Sequence, residues 1–442
     1  MKKLRKLQDL AREVAAAGDS VQPERVEVLR DRWMELDLEG RRALYTWVAS
    51  ELEADADAVT RAVVRLSLAA DDAAERRRAL DQVRRAAASP RRILLESFGQ
   101  LSGGVKLVLD LRAEVLEAQS AGVEGLEPLE EDIAAVLTGW FRHGFLRLGE
   151  IDRHSPFEQI RFVKERELVH PMVGLEEMGH RLGEDRRYFG LFHCLMPDEP
   201  AVFIEVALSR GLLRSIHDII EAPSGSRKPT AKPDTAVFYS INNAQHGLAG
   251  LGLGKVLVFR VVEALQRSHP GVRTFATLSP VPGFWPRYLR PVLSGRGNGF
   301  RIGPDEVAEL LSAKAQRIIR ERWAAAGGSE SAPVGEAMAG LLDRPEWIND
   351  AALEAALRRP LCDLVYRYLT EETDAHGKPL NPVAGFHLGN GATLSRRNVN
   401  FGANRSPRGL AESCGVMVNY LYTSTWLQQI SRTVQSLLPF GR

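Results

Sequence analysis

A glycine-rich turn between a strand-like and a helix-like segment constrains the fold of this chain more than any other feature. Residues 235–241 form a β-branched and aromatic run bounded by polar residues, which predicts a strand. Residues 255–265 repeat apolar side chains three and four positions apart, which predicts a helix. Between them, Gly247, Gly250, Gly252 and Gly254 allow a sharp turn and a close approach of backbone to ligand. A strand, a glycine turn and a helix N-terminus together favour an anion site, usually one for phosphate.

Two common phosphate-binding motifs do not fit this turn. A P-loop would need a glycine where Ala249 stands and a metal-binding hydroxyl where Val256 stands. The dinucleotide motif G-x-G-x-x-G differs in spacing from Gly250, Gly252 and Gly254. The remaining functional interpretation is the pyrophosphate loop of acyl-CoA-dependent transferase-like folds, in which a strand separates from its neighbour and the pantetheine arm lies along it. A purely structural glycine turn fits the spacing equally well.

Composition and charge exclude several classes of protein. The 442 residues are enough for two or three domains, and 58 Lys+Arg against 57 Asp+Glu leave a net charge of +1, so no global field attracts nucleic acid or a membrane. No stretch approaches the ~18 apolar residues of a membrane span, and no signal peptide follows the basic N-terminus. We therefore predict a cytoplasmic protein, with a transit peptide as the alternative. Three cysteines, and histidines without H-E-x-x-H spacing, predict no metal site.

The N-terminal third of the chain has the composition of a helical bundle. Residues 3–140 are rich in Ala, Leu, Arg and Glu, and their apolar residues recur at helical spacing. Examples of this spacing are Leu29, Trp33 and Leu36, and then Val59, Val63 and Leu66. Short breaks between the segments predict an antiparallel all-α bundle. Arginines such as Arg76, Arg77 and Arg78 alternate with acidic residues, which favours a solvated helix face over a nucleic-acid patch.

The pattern changes at Gly144, after which strand-like and helix-like segments alternate. Strands are predicted at residues 145–151, 188–194 and 201–208, in addition to the strand before the glycine turn. This alternation predicts a mixed sheet covered by helices, with the glycine turn at its centre. Residues 305–372 return to a helical pattern, which we interpret as a helical insertion packed on the sheet.

Two polar residues are candidates for chemistry. Ser279 ends a strand-like segment just before a proline-glycine turn, and ligands meet an open α/β sheet at such strand ends. A serine before proline is also a common turn residue. His387 lies between strand-like residues and before a Gly-Asn-Gly sequence, so we expect it to project from a strand end into a cleft. A hydrogen-bonded core histidine is the structural alternative.

Six segments in this order together resemble the malonyl-CoA decarboxylase family. They are residues 238–241, 247–254, 260–262, 278–284, 386–392 and 413–420. The resemblance implies an α+β or α/β fold in which an all-α helical oligomerisation domain, residues 1–143, precedes a catalytic acyl-CoA-binding domain, residues 144–442. The catalytic domain of that family is similar to the GCN5-related N-acetyltransferases (GNAT), with a mixed β-sheet and here a helical insertion.

The resemblance also implies functional residues. The acyl-CoA contacts of the family fall on Ala249, Gly250, Leu251, Gly252, Leu253, Gly254, Lys255, Ser279 and His387. The active-site serine and histidine fall on Ser279 and His387. The acetyltransferase pattern Q/R-x-x-G-x-G/A would place Gln or Arg at position 249, so a side-chain contact is missing there. Asn390, Arg408 and Tyr420 are candidates to support the site, with core packing or a surface ion pair as the alternative roles.

The implied reaction is decarboxylation of malonyl-CoA to acetyl-CoA and CO2. The thioester carbonyl accepts the electrons that CO2 leaves behind, so no cofactor is needed and CoA is part of the substrate. We expect His387, as an imidazole with a pKa near ambient pH, to protonate the enolate, with Ser279 as the proton-accepting partner. An acyltransferase with the same CoA site and a non-catalytic acyl-CoA sensor are the alternatives. The expected partner is a second copy of the chain, as a homodimer or homotetramer formed through the helical domain.

Overall fold

The computed structural model of this chain describes residues 2–69, 72–221, 232–297 and 299–422. Contacts among these residues divide the chain into two compact units. The first unit comprises Met1–Arg147, Leu191–Val202 and Asn243–Leu253, and the second comprises Leu148–Gly190, Phe203–Asn242 and Gly254–Arg442. The domain boundary between residues 143 and 144 stays a prediction, and residues 423–442 of the expected catalytic domain lie outside the described part of the chain.

Helices make up most of the first unit. They are α1 (Lys2–Ala17), α2 (Pro23–Met34), α3 (Leu38–Glu51), α4 (Ala56–Leu68), α5 (Ala73–Ala87), α6 (Pro90–Ser97), α7 (Gly104–Ser120) and α8 (Glu127–Trp140). The carboxylates of Asp37, Asp55 and Asp72 accept backbone N–H groups at the starts of α3, α4 and α5. The prediction of a helical N-terminal region is confirmed.

The two predicted apolar faces of this region differ in their exposure to solvent. Leu29 and Trp33 of α2 are buried, at 0% and 2% exposure, so this face packs into the core of the unit. On α4, by contrast, Val63, Val64 and Leu68 are 48%, 51% and 80% exposed. Helix α4 therefore presents apolar side chains to solvent, which a helix closed inside a bundle would not do.

Strands and helices alternate after residue 145. The strands are β1 (Leu146–Ile151), β2 (Arg186–His193), β3 (Met196–Ser209), β4 (Thr235–Asn243), β5 (Thr274–Thr277), β6 (Ser279–Pro280), β7 (Ala392–Thr393), β8 (Val399–Asn400), β9 (Met417–Val418) and β10 (Leu421–Tyr422). The helices are α9 (Phe157–Arg166), α10 (Leu175–Arg181), α11 (His217–Ile220), α12 (Leu253–Ser268), α13 (Arg290–Leu293), α14 (Pro304–Glu309), α15 (Ala313–Ala325), α16 (Val334–Leu342), α17 (Ala351–Thr370), α18 (Pro382–Gly389) and α19 (Pro407–Ser413). A π-helix covers Phe284–Leu289. The predicted mixed sheet with helices is confirmed, and α14–α17 occupy the predicted helical insertion.

Two sheets are formed, and the chain passes from one to the other at the predicted serine. The larger sheet has the order β1-β2-β3-β4-β5-β10-β7, and the smaller has the order β6-β9-β8. Strands β4 and β5 pair in parallel from Thr235 opposite Thr274 to Phe238 opposite Thr277. Ser279 then pairs with Val418 of β9 in the smaller sheet. The distal half of β4 thus loses its β5 neighbour, which is the strand separation expected from the sequence.

A buried group of charged side chains lies among β2, β3, β4 and α10 of the second unit. Glu205 and Arg181 are 0% and 1% exposed, with 3.6 Å between Arg181 Nη1 and Glu205 Oε1. Burial raises the pKa of Glu205 well above its ordinary value, and the neighbouring Glu167 carboxylate raises it further. Of the two neighbouring carboxyl groups, Glu205 and Glu167, Glu205 is therefore the one that holds a proton.

Glu167 stays ionised because backbone and side-chain donors surround it. Burial opposes its charge, but the Glu205 carboxyl, the His170 amide and the Ser240 hydroxyl lower its pKa. Ser240 Oγ donates to both carboxylate oxygens at 2.9 and 2.7 Å, and Asn242 Nδ2 donates at 2.7 Å. Ser240 and Asn242 belong to the half of β4 that β5 has left, so this network holds that part of the strand.

The two buried partners should respond differently to substitution. We expect Glu205→Gln to change the free energy of unfolding by less than about 1 kcal/mol, because a neutral amide replaces a neutral carboxyl. Arg181→Met should cost more, about 3 kcal/mol, because it removes the buried guanidinium that is bonded to Glu177 Oε1 at 2.6 Å and leaves that partly buried carboxylate unpaired. Urea unfolding followed by circular dichroism measures both values. Equal losses for the two variants would mean that Glu205 is ionised and paired with Arg181.

Candidate active site

Ser279 and His387 lie side by side in the second unit although 108 residues separate them in the sequence. The Ser279 Oγ to His387 Nε2 distance is 3.2 Å, within hydrogen-bond range. Both side chains are buried, at 6% and 4% exposure. A hydroxyl and an imidazole in contact inside the protein form a pair that can exchange a proton.

The hydrogen bonds around the pair define which ring nitrogen carries the proton. Ser279 Oγ donates to Thr277 Oγ1 at 2.8 Å, and the Tyr420 amide donates to the same Thr277 oxygen at 3.1 Å. With the serine proton used in this way, the hydrogen-bond network assigns the imidazole proton to Nε2, which then donates to Ser279 Oγ. His387 Nδ1 lies 2.9 Å from Tyr422 Oη and accepts a hydrogen bond from the tyrosine hydroxyl. Both ring nitrogens are thereby satisfied with a neutral imidazole.

His387 lies on a helix, and the prediction that it projects from a strand end is wrong. Helix α18 begins at Pro382, and Asn381 Oδ1 accepts the amide hydrogens of Val383 and Ala384 at 3.0 Å each. Asparagine at the N-cap with proline at the first helical position is a typical helix start. This cap outweighs the strand-like residues beside His387, so the histidine points from the last turn of a short helix.

A single peptide group joins the serine segment to two helices. Asn381 Nδ2 donates to the carbonyl of Pro282 at 3.0 Å, and the amide of Gly283 donates to Glu412 Oε2 at 2.8 Å. The carbonyl and the amide belong to the same peptide bond, between Pro282 and Gly283. Asn381 caps the helix that carries His387, while Glu412 lies on α19. This peptide clamp fixes the segment that follows Ser279 against the helix of its histidine partner.

Aromatic rings surround the imidazole and keep it dry. The Tyr420 ring stacks on it with centroids 4.7 Å apart and an interplanar angle of 27°, and Phe386 meets it edge-on at 5.0 Å. Burial in this pocket lowers the pKa of His387 to about 3. The expectation of a pKa near ambient pH is therefore wrong for the unliganded protein, because desolvation opposes the charged ring.

The glycine turn of the first unit has the backbone of an anion site. Gly250 and Gly252 have φ values of +79° and +74°, which favour glycine. No acceptor within the described ranges takes the amide hydrogen of either residue. Ala249 and Lys255 are exposed, and α12 begins at Leu253 directly after the turn. Unpaired N–H groups just before a helix N-terminus can bind a diphosphate.

The predicted supporting residues differ in their surroundings. Tyr420 contacts His387 directly, as described above. Asn390 is the C-cap of α18, three residues beyond the histidine. Arg408 Nη1 donates to the carbonyl of Leu168 at 2.8 Å, and no hydrogen bond between the described residues joins it to Ser279 or His387. Arg408 is thus held at the surface by a backbone carbonyl.

Three residues around the pair, Thr277, Asn381 and Tyr422, were not predicted from the sequence. Asn381 followed by proline is a helix-start signal that could have revealed α18. Thr277 and Tyr422 gave no such signal, because their roles depend on contacts between distant segments. The apolar residues Pro282, Phe284 and Trp285 follow the serine, and the two aromatic side chains are buried, at 0% and 5% exposure.

Within residues 2–422, apart from the undescribed gaps, no cluster of three or more His, Cys, Asp or Glu side chains could hold a metal ion. None of the helices in the described ranges has the length and apolar character needed to cross a membrane.

Comparisons with known proteins agree over both parts of the chain. Residues 144–435 match the family model of the malonyl-CoA decarboxylase C-terminal domain, and residues 52–141 match that of the N-terminal domain. The mitochondrial malonyl-CoA decarboxylases of Mus musculus and Rattus norvegicus are each 37% identical over 364 residues, which is 81% of this chain and 71% of theirs.

Solved structures give the same result. The malonyl-CoA decarboxylase of Rhodopseudomonas palustris is 31% identical with a TM-score of 0.77, and the alignment covers 98% of this chain and 96% of that one. The enzyme of Agrobacterium vitis is 30% identical with a TM-score of 0.79, and the alignment covers 97% and 95%. The sequence and structural matches therefore extend over nearly the whole chain.

The buried imidazole predicts a specific loss of stability in acid. The pKa of His387 is about 3 in the folded protein and about 6.5 when unfolded, so the unfolded chain binds the proton first. The contribution of His387 to the free energy of unfolding is complete above pH 6.5 and should fall by about 1.4 kcal/mol per pH unit below that value. His387→Gln lacks this titration. We expect urea titrations at pH 7, 6 and 5 to show that the wild type loses more unfolding free energy than His387→Gln as the pH falls. A constant difference would contradict the assignment.

Proposed function

The chain belongs to the malonyl-CoA decarboxylase family and has that family's activity, and we propose that Ser279 and His387 carry the reaction through a thioester enolate. The observation that supports this mechanism is the 3.2 Å contact between the Ser279 hydroxyl and the His387 imidazole in a dry pocket. The same residues are those that the family resemblance designates. Substrate and products are malonyl-CoA, acetyl-CoA and CO2.

The reaction requires electrons to move onto the substrate itself. The bond between the carboxylate carbon and C2 breaks, CO2 leaves, and the electron pair forms the enolate of the acetyl thioester. Donors that face the developing oxyanion lower this barrier, typically by about 3–4 kcal/mol for each well-placed donor. Loss of a charged carboxylate as neutral CO2 is favoured where water is excluded. The aromatic side chains that wall in His387 suit that requirement.

The second step delivers a proton to C2 of the enolate. We assign this step to the Ser279 and His387 pair: the imidazolium form of His387 gives one proton to C2 and returns to the neutral imidazole, while the Ser279 hydroxyl is the hydrogen-bond acceptor of Nε2–H. The imidazole is neutral in the free protein because burial lowers its pKa to about 3. A substrate carboxylate beside the ring would raise that pKa, because a nearby opposite charge favours the imidazolium form. Substrate binding would thereby recruit the proton that the product needs.

We propose that the backbone from Ala249 to Lys255 binds the diphosphate of CoA. The amide hydrogens of Gly250 and Gly252 support this role, since no acceptor in the described part of the chain uses them. With alanine at position 249, recognition depends on backbone groups rather than on a long polar side chain at that position. No cofactor other than the CoA of the substrate enters the proposal.

We also propose that the chain forms a homo-oligomer through its helical region. The exposed apolar face of α4, with Leu68 80% exposed, supports a second copy as the partner that covers it. The expected cytoplasmic location stays a prediction, and the mouse and rat relatives are named mitochondrial.

Turnover without an acceptor tests the proposed reaction. The purified protein should convert malonyl-CoA to acetyl-CoA and CO2 with no amine present, and His387→Asn and Ser279→Ala should each lower kcat about 10²–10⁴-fold. His193→Asn serves as a matched control, because His193 is also buried, at 3% exposure, but its Nε2 donates to the Trp140 carbonyl instead. Acetyl-CoA is quantified by chromatography. Turnover that needs an added amine would favour an acyltransferase, and unchanged kcat in His387→Asn would exclude the proposed proton donor.

Charge placed on α4 tests the oligomer. The double substitution Val64→Glu and Leu68→Glu should reduce the mass measured by light scattering to that of one chain, because two carboxylates cannot be buried against an apolar partner. Arg84→Glu, an exposed charge reversal on the neighbouring α5, is the control and should keep the wild-type mass. An unchanged mass for the double variant would place the interface elsewhere.

A further inference from the structure

A buried arginine of α7 holds the glycine turn from beneath. Arg112 is 5% exposed, and its Nη1 donates to the carbonyl oxygens of Gly247 at 2.6 Å and Ala249 at 2.8 Å. Helix α7 and the turn belong to the same compact unit, although 135 residues separate Arg112 from Gly247. A helix of the N-terminal region therefore shapes a loop that follows β4.

The guanidinium is fixed by a second partner. Its Nε and Nη2 both donate to Glu130 Oε1 of α8, at 3.0 and 2.6 Å. Charge-assisted bonds of this kind are shorter and stronger than neutral ones, and the planar guanidinium has a fixed donor geometry. Arg112 thus links α7, α8 and the turn with its charge compensated.

The two accepted carbonyls orient the rest of the turn. In a planar peptide the carbonyl and the amide hydrogen point in opposite directions, so drawing the Ala249 carbonyl toward Arg112 turns the Gly250 amide away from it. That amide has no acceptor among the residues described, whereas the Leu248 amide is already bonded to Gln245 at 3.0 Å. The arginine therefore directs a free donor to the side where a diphosphate would bind.

The turn also lies too close to α7 for any side chain at its first glycine. A Cβ on Gly247 would stand 2.1 Å from the carbonyl oxygen of Leu109. The glycine allows the backbone to lie directly on α7, which brings its carbonyl within reach of Arg112. Backbone contact and arginine bonds together define one conformation of the turn.

We propose that Arg112 is a positioning residue for substrate binding, which presets the glycine turn so that its amides receive the CoA diphosphate. This inference rests on the proposed function of the turn. It gives the helical region a part in CoA recognition in addition to self-association. Arg112 acts through the backbone of the turn and belongs to binding rather than to the chemical step.

The test separates binding from turnover. Arg112→Met keeps the length of the side chain without its donors, and Arg112→Lys keeps the charge without the planar fork. Arg91→Met is the matched control, because Arg91 is also a buried arginine of the helical region, bonded to Asp132 and the Ala49 carbonyl instead of the turn. For each protein, kcat and KM for malonyl-CoA, the Kd of CoA by titration calorimetry and the Tm are measured.

We expect Arg112→Met to raise KM and the Kd of CoA by tenfold or more while kcat changes less than threefold. Arg112→Lys should raise KM and Kd by a smaller factor. Arg91→Met should lower Tm to a similar degree with KM and Kd unchanged. Unchanged Kd in both Arg112 variants, or an equal rise in Arg91→Met, would overturn the inference. Wild-type protein that binds CoA without decarboxylating malonyl-CoA would contradict the proposed function and leave the role of Arg112 measurable by Kd.

Discussion

The separation of strands β4 and β5 is the constraint from which the rest of the arrangement follows. The strands share four residue pairs, from Thr235 to Phe238, and the chain then crosses to the smaller sheet at Ser279. This crossing brings the serine hydroxyl beside the imidazole of α18. It also leaves the far half of β4 without its β5 neighbour, where Ser240 and Asn242 bind the Glu167 carboxylate instead. A strand β5 that stayed paired with β4 would not carry Ser279 to the smaller sheet.

Charge is distributed according to what each part of the protein has to bind or react with. The pocket around His387 contains aromatic rings and hydroxyls, and its dryness keeps the imidazole neutral in the absence of substrate. The glycine turn presents amide hydrogens, while the arginine beneath it has its charge matched by Glu130. The anionic nucleotide part of CoA needs hydrogen-bond donors at the surface, which the turn presents. The reacting carboxylate needs an environment without water, which the pocket around His387 provides.

Local patterns were sufficient to predict the strand, the glycine turn and the helix that follow one another around Gly250, since strand, turn and helix preferences there agree. The pairing of Ser279 with His387 was implied by resemblance alone, because no local signal links residues 108 apart. His387 was assigned to a strand because its neighbours have strand-like character, whereas the Asn381 cap determines a helix. Its lowered pKa and its bond to Tyr422 depend on burial and tertiary contact, which a linear sequence does not display.

The peptide between Pro282 and Gly283 has a dynamic consequence. Because its carbonyl is bound to the cap of α18 and its amide to Glu412, a small displacement of α18 carries the serine segment along with it. The two hydrogen bonds therefore tie the segment after Ser279 to the helix that carries His387, which favours a constant distance between the hydroxyl and the imidazole. Proton transfer, whose rate falls steeply with donor–acceptor distance, is in this way protected from the ordinary vibration of the scaffold.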